Sequence, residues 1–87
     1  MPTLFIPAPV RDLTQGLPSV AVTGSTVREA IENLDAQFPG IKDRLCENEK
    51  IRPNISVMVD GQVSTLKMRE KLSEMSEVHF VIAISGG

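Results

Sequence analysis

Three places in this 87-residue chain hold residues whose type and position could do chemistry. The first is Ser85-Gly86-Gly87, directly after the apolar run Val78-His79-Phe80-Val81-Ile82-Ala83-Ile84. Glycine brings no side chain to a core and loses the most backbone freedom on ordering, so a Gly-Gly pair there has little structural merit. Its chemical merit is access. A glycine carboxylate can be threaded through a narrow passage and reached by a reagent from any side. The C-terminal carboxylate of Gly87 is therefore the candidate reacting group, presented by Ser85 and Gly86. The second place is Cys46, in a polar stretch with Arg44 and Lys50 nearby, the kind of neighbours a low-pKa thiolate needs. A lone cysteine is more often incidental, and that is the reading adopted over a sulfur relay. The third is His79, with no second His or Cys at ligand spacing, which reads as a structural or surface histidine and not a metal ligand.

Other patterns have plainer explanations. Thr23-Gly24-Ser25-Thr26 resembles a phosphate-binding turn, but one glycine is not Gly-x-Gly-x-x-Gly, and helix capping accounts for it better. Glu29 and Glu32 belong to a wet helix face. Lys67, Arg69 and Lys71 alternate with Glu70 and Glu74, which argues against a basic patch. With a formal net charge of −2, three Phe and no Tyr or Trp, the chain lacks a basic, aromatic-lined face for nucleic acid. No apolar run approaches the ~20 residues of a membrane span. One cysteine cannot make an internal disulfide, so a cytoplasmic location is expected. With a single His and a single Cys, an enzyme acting alone is not expected. Hydrophobic content of 41% and charged content of 23% are those of one small globular domain.

The elements that must position the tail follow from periodicity. Thr3 to Pro7 and Ser19 to Thr23 read as two short strands of a hairpin, around a loop at residues 10–18 that tucks in Val10 and Leu13. Thr26-Val27-Arg28-Glu29 is a capping box. The series Val27, Ala30, Ile31, Leu34 and Phe38 then forms one helix face, closed by Pro39-Gly40. Residues 41–53 read as polar and irregular, with a short turn burying Ile41 and Leu45. Asn54 to Val59 alternates as a strand, Asp60-Gly61 marks a turn into a short strand at Gln62-Val63, and residues 65–76 form a connection that buries Leu66 and Leu72. Glu77 to Ile84 is the strongest strand, apolar on both faces as a central strand should be. The crossover rule favours the helix returning to a strand parallel to the second or to a neighbour of it. The predicted class is α+β, with a four- to five-stranded mixed sheet and one main helix on one face. The predicted division is a domain at residues 1–84 and a flexible tail at residues 85–87.

This order, the length and the Ile82-Ala83-Ile84-Ser85-Gly86-Gly87 tail resemble the ubiquitin-like β-grasp sulfur carriers of the MoaD/ThiS-like family. That family includes the small subunit of molybdopterin synthase and the thiamine and cysteine sulfur carriers. Supporting residues are Ile6-Pro7-Ala8-Pro9-Val10-Arg11 and Gly24-Ser25-Thr26-Val27. The stretch Phe38-Pro39-Gly40-Ile41-Lys42-Asp43-Arg44-Leu45, with Arg52-Pro53-Asn54-Ile55 and Val59-Asp60-Gly61, is more similar to the molybdopterin and cysteine branches. Ser85 stands where many members have Ala, and the resemblance implies that Ser85 and Gly86 form the tail that enters a partner's active site. The resemblance implies a carrier, not an enzyme, able to serve as the non-catalytic small subunit of a sulfurtransferase such as molybdopterin synthase. It implies no bound cofactor. An adenylating partner of the ubiquitin-activating type uses ATP on Gly87, a sulfide or persulfide donor converts the adenylate to a thiocarboxylate, and an acceptor synthase subunit takes the sulfur. The alternatives are a ubiquitin-like modifier conjugated through Gly87 and an inert β-grasp interaction module.

Strand parity adds a partner surface. With the even positions of the last strand facing the helix, Phe5, Met58, Val81 and Ala83 lie on the open side of the sheet. An exposed apolar patch on a small domain is a docking candidate.

Overall fold

A computed structural model describes residues 1–83; Ile84, Ser85, Gly86 and Gly87 lie outside the described residues. The predicted 1–84/85–87 division therefore falls where the description stops.

The first strand, β1 (Thr3–Phe5), pairs antiparallel with β2 (Ser19–Ala21), as the hairpin reading requires. Their connection is more ordered than the expected loop. Ala8–Thr14 is a 3-10 helix, with Pro7 at its N-cap and Pro9 in its first turn, where a missing N–H removes no helical bond. Val10 and Thr14 are buried beneath it and Leu13 is half-buried. The helix stops where Gln15 (φ 57°) and Gly16 (φ 83°) turn left-handed.

The main helix, α1 (Val27–Gln37), starts where the capping box predicts. The Thr26 hydroxyl accepts from the Glu29 amide at 3.2 Å. The return arm is displaced by one residue: the Glu29 carboxylate accepts from the amide and hydroxyl of Ser25, both at 2.9 Å, and not from Thr26. Val27, Ala30, Ile31 and Leu34 are completely buried against the sheet. Gly24 is required by this docking, because a Cβ there would come within 2.7 Å of the Ala30 backbone nitrogen.

Residues 41–53 are not irregular. Asp35 accepts from the amides of Gly40 (3.1 Å) and Lys42 (3.0 Å), holding the start of a short helix, α2 (Ile41–Leu45), whose Ile41 and Leu45 are fully buried as anticipated. A small hairpin of β3 (Cys46–Glu47) and β4 (Lys50–Ile51) follows. Its two turn residues, Asn48 (φ 54°) and Glu49 (φ 63°), are both left-handed, a geometry usually given to Gly-containing pairs. The missing glycine hid the hairpin from the sequence. Glu49 holds the turn by pairing with Arg28 and Lys42, each at 3.0 Å.

The chain then forms β5 (Ile55–Val59), the Asp60-Gly61 turn, β6 (Gln62–Val63) and β7 (Glu77–Ile82). The sheet order is β2-β1-β7-β5-β6, with β7 parallel to β1 and antiparallel to β5. These pairings make β5 run parallel to β2, the strand that precedes α1, as the crossover rule favours. The five-stranded mixed sheet with α1 across one face is the expected α+β, ubiquitin-like β-grasp. The connection at residues 65–76 differs from expectation. Lys67 (φ 51°) reverses the chain so that Met68, not Leu66, enters the core; Leu66 is 48% exposed and Leu72 half-buried.

Candidate functional site

The central position of β7 follows from its composition. Val78 and Phe80 face the core beneath α1, while His79 and Val81 face the other way, and β1 and β5 flank the strand. The registers place Ser19, Phe5, His79, Met58 and Val63 in one row across all five strands, on the face that α1 leaves open. At about 4.8 Å between strands this row is roughly 19 Å long. The rings of Phe5 and His79 stack at 4.1 Å between centroids and 5° between planes. Phe5, His79 and Met58 are half-buried, whereas Val63 is 66% and Val81 48% exposed.

Toward its C-terminal end β7 outruns β1. Its pairing with β1 ends at His79, while that with β5 continues through Ser56↔Val81 and Ile55↔Ile82. The Ala83 amide then donates to the Asn54 carbonyl at 2.7 Å, holding the last described residue to the neighbouring strand. Phe5, Met58 and Val81 thus share the open face as parity required. Ala83 is exposed just past the end of the strand. Gly87, Gly86 and Ser85 lie outside the described residues.

Sequence reasoning missed His79 as a member of this face. Its parity with Val81 was legible, but its stacking on Phe5 depends on the parallel β1–β7 register, which no local pattern encodes. Val63, opposite Met58 across the Asp60-Gly61 turn, was also missed, although the two-residue turn fixes that register locally.

Cys46 is buried, and burial pushes its thiol above the ordinary value. Its Sγ lies 4.0 Å from the Met68 sulfur. A protonated, enclosed thiol is a poor nucleophile, so the incidental reading holds. Among the described residues no three His, Cys, Asp or Glu side chains cluster as metal ligands, and no helix is long and apolar enough to cross a membrane.

The ThiS family model matches residues 4–87. The chain belongs to the ThiS family. A chain of the crystal structure of the Amycolatopsis orientalis BexX/CysO complex superposes with a TM-score of 0.94 at 29% identity, each chain covered in full. Two further solved structures share the fold. Mycobacterium tuberculosis CysO matches at TM-score 0.89 and 24% identity, over 97% of this chain and 100% of its own. SAMP1 from Haloferax volcanii matches at 0.77 and 21%, over 99% of this chain and 98% of its own. No curated protein sequence matches significantly. The β-grasp body of this ThiS-family chain therefore presents Phe5, His79, Met58 and Val81 on its open sheet face, beside the strand that leads to Gly86-Gly87.

Proposed function

We propose that this ThiS-family protein carries sulfur as a thiocarboxylate at Gly87. The observation that carries the reading is the family match running through residue 87, so that it includes the Gly-Gly pair. A carboxylate is a poor electrophile and must first be activated. In an adenylating partner of the ubiquitin-activating type, a Gly87 carboxylate oxygen attacks the α-phosphorus of ATP and expels pyrophosphate, leaving an acyl-adenylate. Hydrosulfide then attacks the acyl carbon and AMP departs with the C–O bond electrons, giving the thiocarboxylate. With a persulfide enzyme as donor, the terminal sulfur forms an acyl disulfide, which a second thiol opens. The thiocarboxylate sulfur then attacks an electrophile bound to an acceptor subunit and displaces its leaving group. Water cleaves the acyl–sulfur bond, leaving the sulfur on the acceptor and the Gly87 carboxylate ready for another cycle.

This chain supplies no catalytic group in that sequence. Its contribution is recognition and reach. The Phe5–His79–Met58 row and Val81 form the surface on which the activating partner docks, with Ala83 at its edge. Residues 84–87 give a span of about 13 Å when extended, enough to place the terminus inside a partner's active site. The likeness to a chain of the BexX/CysO complex supports a carrier that works with a partner protein, and favours cysteine-type sulfur delivery over the molybdopterin branch. A cytoplasmic setting suits its lone unpaired cysteine.

The test is pyrophosphate release from ATP by the cognate adenylating enzyme, with the full chain and with a chain lacking Gly86 and Gly87. Release that requires both glycines is the expected result. Equal release, or none with either chain, overturns the reading. Lysine-linked adducts on other proteins, without a thiocarboxylate, would instead identify a modifier.

A further inference from the structure

A second surface lies away from the sheet. A groove of about 410 Å³ runs between the β3–β4 hairpin and the turn at residues 65–69, with Arg28 of the first turn of α1 also lining it. None of its lining residues belongs to the five-stranded sheet. Its floor is apolar: Ile51 and Met68 are nearly buried, and Leu66 is 48% exposed.

Its rim is basic. Arg28, Lys50, Lys67 and Arg69 face Glu49 alone, so four cations against one carboxylate give the lining a net +3 on a chain whose formal charge is −2. Glu49 is already engaged by Arg28 and Lys42. Lys50, Lys67 and Arg69 make no ion pair among the described residues. The alternation with Glu70 and Glu74 that argued against a basic patch is resolved in three dimensions. Glu70 turns toward the Ser64 hydroxyl at 2.6 Å, and Glu74 lies 3.5 Å from the N-terminal amine. Lys67 also holds a left-handed backbone that a glycine would adopt at less cost. That turn carries Leu66 into the groove opening and leaves the Lys67 side chain exposed.

We propose that this groove is a second docking site, taking an acidic peptide segment of a partner protein that carries one aliphatic side chain. The segment's carboxylates pair with Lys50, Lys67 and Arg69, and its aliphatic side chain seats on Leu66, Ile51 and Met68. The mix of unpaired cations around an apolar floor fits that chemistry. Nucleic acid fits less well, because none of the three Phe lines the groove to stack a base. The proposal is independent of sulfur carriage, and a ligand here leaves the open sheet face free.

The experiment is an NMR titration of the full chain with a labelled heptapeptide of Asp and Glu around a central Leu, with a Leu-to-Ser counterpart and a short DNA oligonucleotide as controls. Amide shifts confined to residues 48–51 and 65–69 are expected. The Leu-to-Ser peptide should bind several-fold more weakly. The double variant Lys67→Glu/Arg69→Glu should bind at least about tenfold more weakly, since two attractions become repulsions. Binding should vanish near 1 M salt, where the screening length is about 3 Å. Its unchanged amide dispersion would show that the variant is folded; Leu66→Ser, at an exposed position, is the second variant should it not be. No shifts, shifts on the sheet face, equal binding of the Leu-to-Ser peptide, or tighter binding of the oligonucleotide overturns the proposal. So does self-association of the chain through this groove.

Discussion

Val81→Asp separates docking from folding. Val81 is 48% exposed, points away from α1 and lies opposite Ser56, so the carboxylate enters no core. The folded state loses β-propensity of up to about 1 kcal/mol, a fall in melting temperature of roughly 4–8 °C for a domain of this size. The docked state loses more. Full burial of a Val side chain contributes about 1.5–3 kcal/mol, so covering its exposed half contributes about 1 kcal/mol. An unpaired carboxylate trapped beneath the partner adds at least about 2 kcal/mol of desolvation. Together these make about 3 kcal/mol, on the order of a hundredfold in affinity. The assay is pyrophosphate release by the adenylating enzyme as a function of carrier concentration, beside a thermal melt. The expected result is a carrier KM raised about a hundredfold, with a melting temperature lowered by no more than about 4–8 °C and the domain still folded at the assay temperature. Val57→Asp, on a fully buried position of the helix-facing side, should unfold the domain and serves as the contrast. Wild-type activation of Val81→Asp, or activity lost only in proportion to unfolding, would refute the docking face.

Other perturbations test how the body is built. Gly24→Ala forces a Cβ to within 2.7 Å of the Ala30 nitrogen and should destabilise by about 1–3 kcal/mol in urea unfolding. Thr26→Ala removes the N-cap acceptor for the Glu29 amide and should cost about 1 kcal/mol by the same measurement. Glu49 is held below the ordinary carboxylate value, first by the Lys42 hydrogen bond and then by that cation's charge, and Glu29 by bonds from Ser25. Both folded values are depressed, so their stabilisation is present above the unfolded value of 4.5 and is lost as pH falls below it. The melting temperature should decline in that acid range, and less steeply in Glu49→Gln. The Cys46 thiol should react slowly with an aromatic disulfide reagent in the native protein and fully in denaturant, while Cys46→Ser should leave activation by the adenylating enzyme unchanged.

The parts of the fold legible in the sequence were those set by local periodicity. The Thr26 cap, the buried stripe from Val27 to Leu34 and the doubly apolar β7 each state their environment within a few residues. What escaped was set by contacts distant in sequence or by unusual turn residues. The β3–β4 hairpin turns on Asn48-Glu49, where no glycine announces left-handed backbone, and Glu49 is held there by Arg28, 21 residues earlier. Leu66 and Met68 exchange places because Lys67 reverses the chain, which their hydrophobicity alone cannot reveal. At the candidate site, parity put Phe5, Met58 and Val81 on one face, while the His79–Phe5 stack awaited the β1–β7 register. The basic groove was invisible for the same reason, because its cations come from α1, the hairpin and a turn.

The central claim, sulfur carriage at Gly87, is tested most directly by the intact mass of the chain after incubation with its adenylating enzyme, ATP and sulfide. The account predicts a gain equal to replacing one oxygen by sulfur, absent from a chain lacking Gly87. An unchanged mass in an incubation that consumes ATP, or a gain that persists without Gly87, would contradict it.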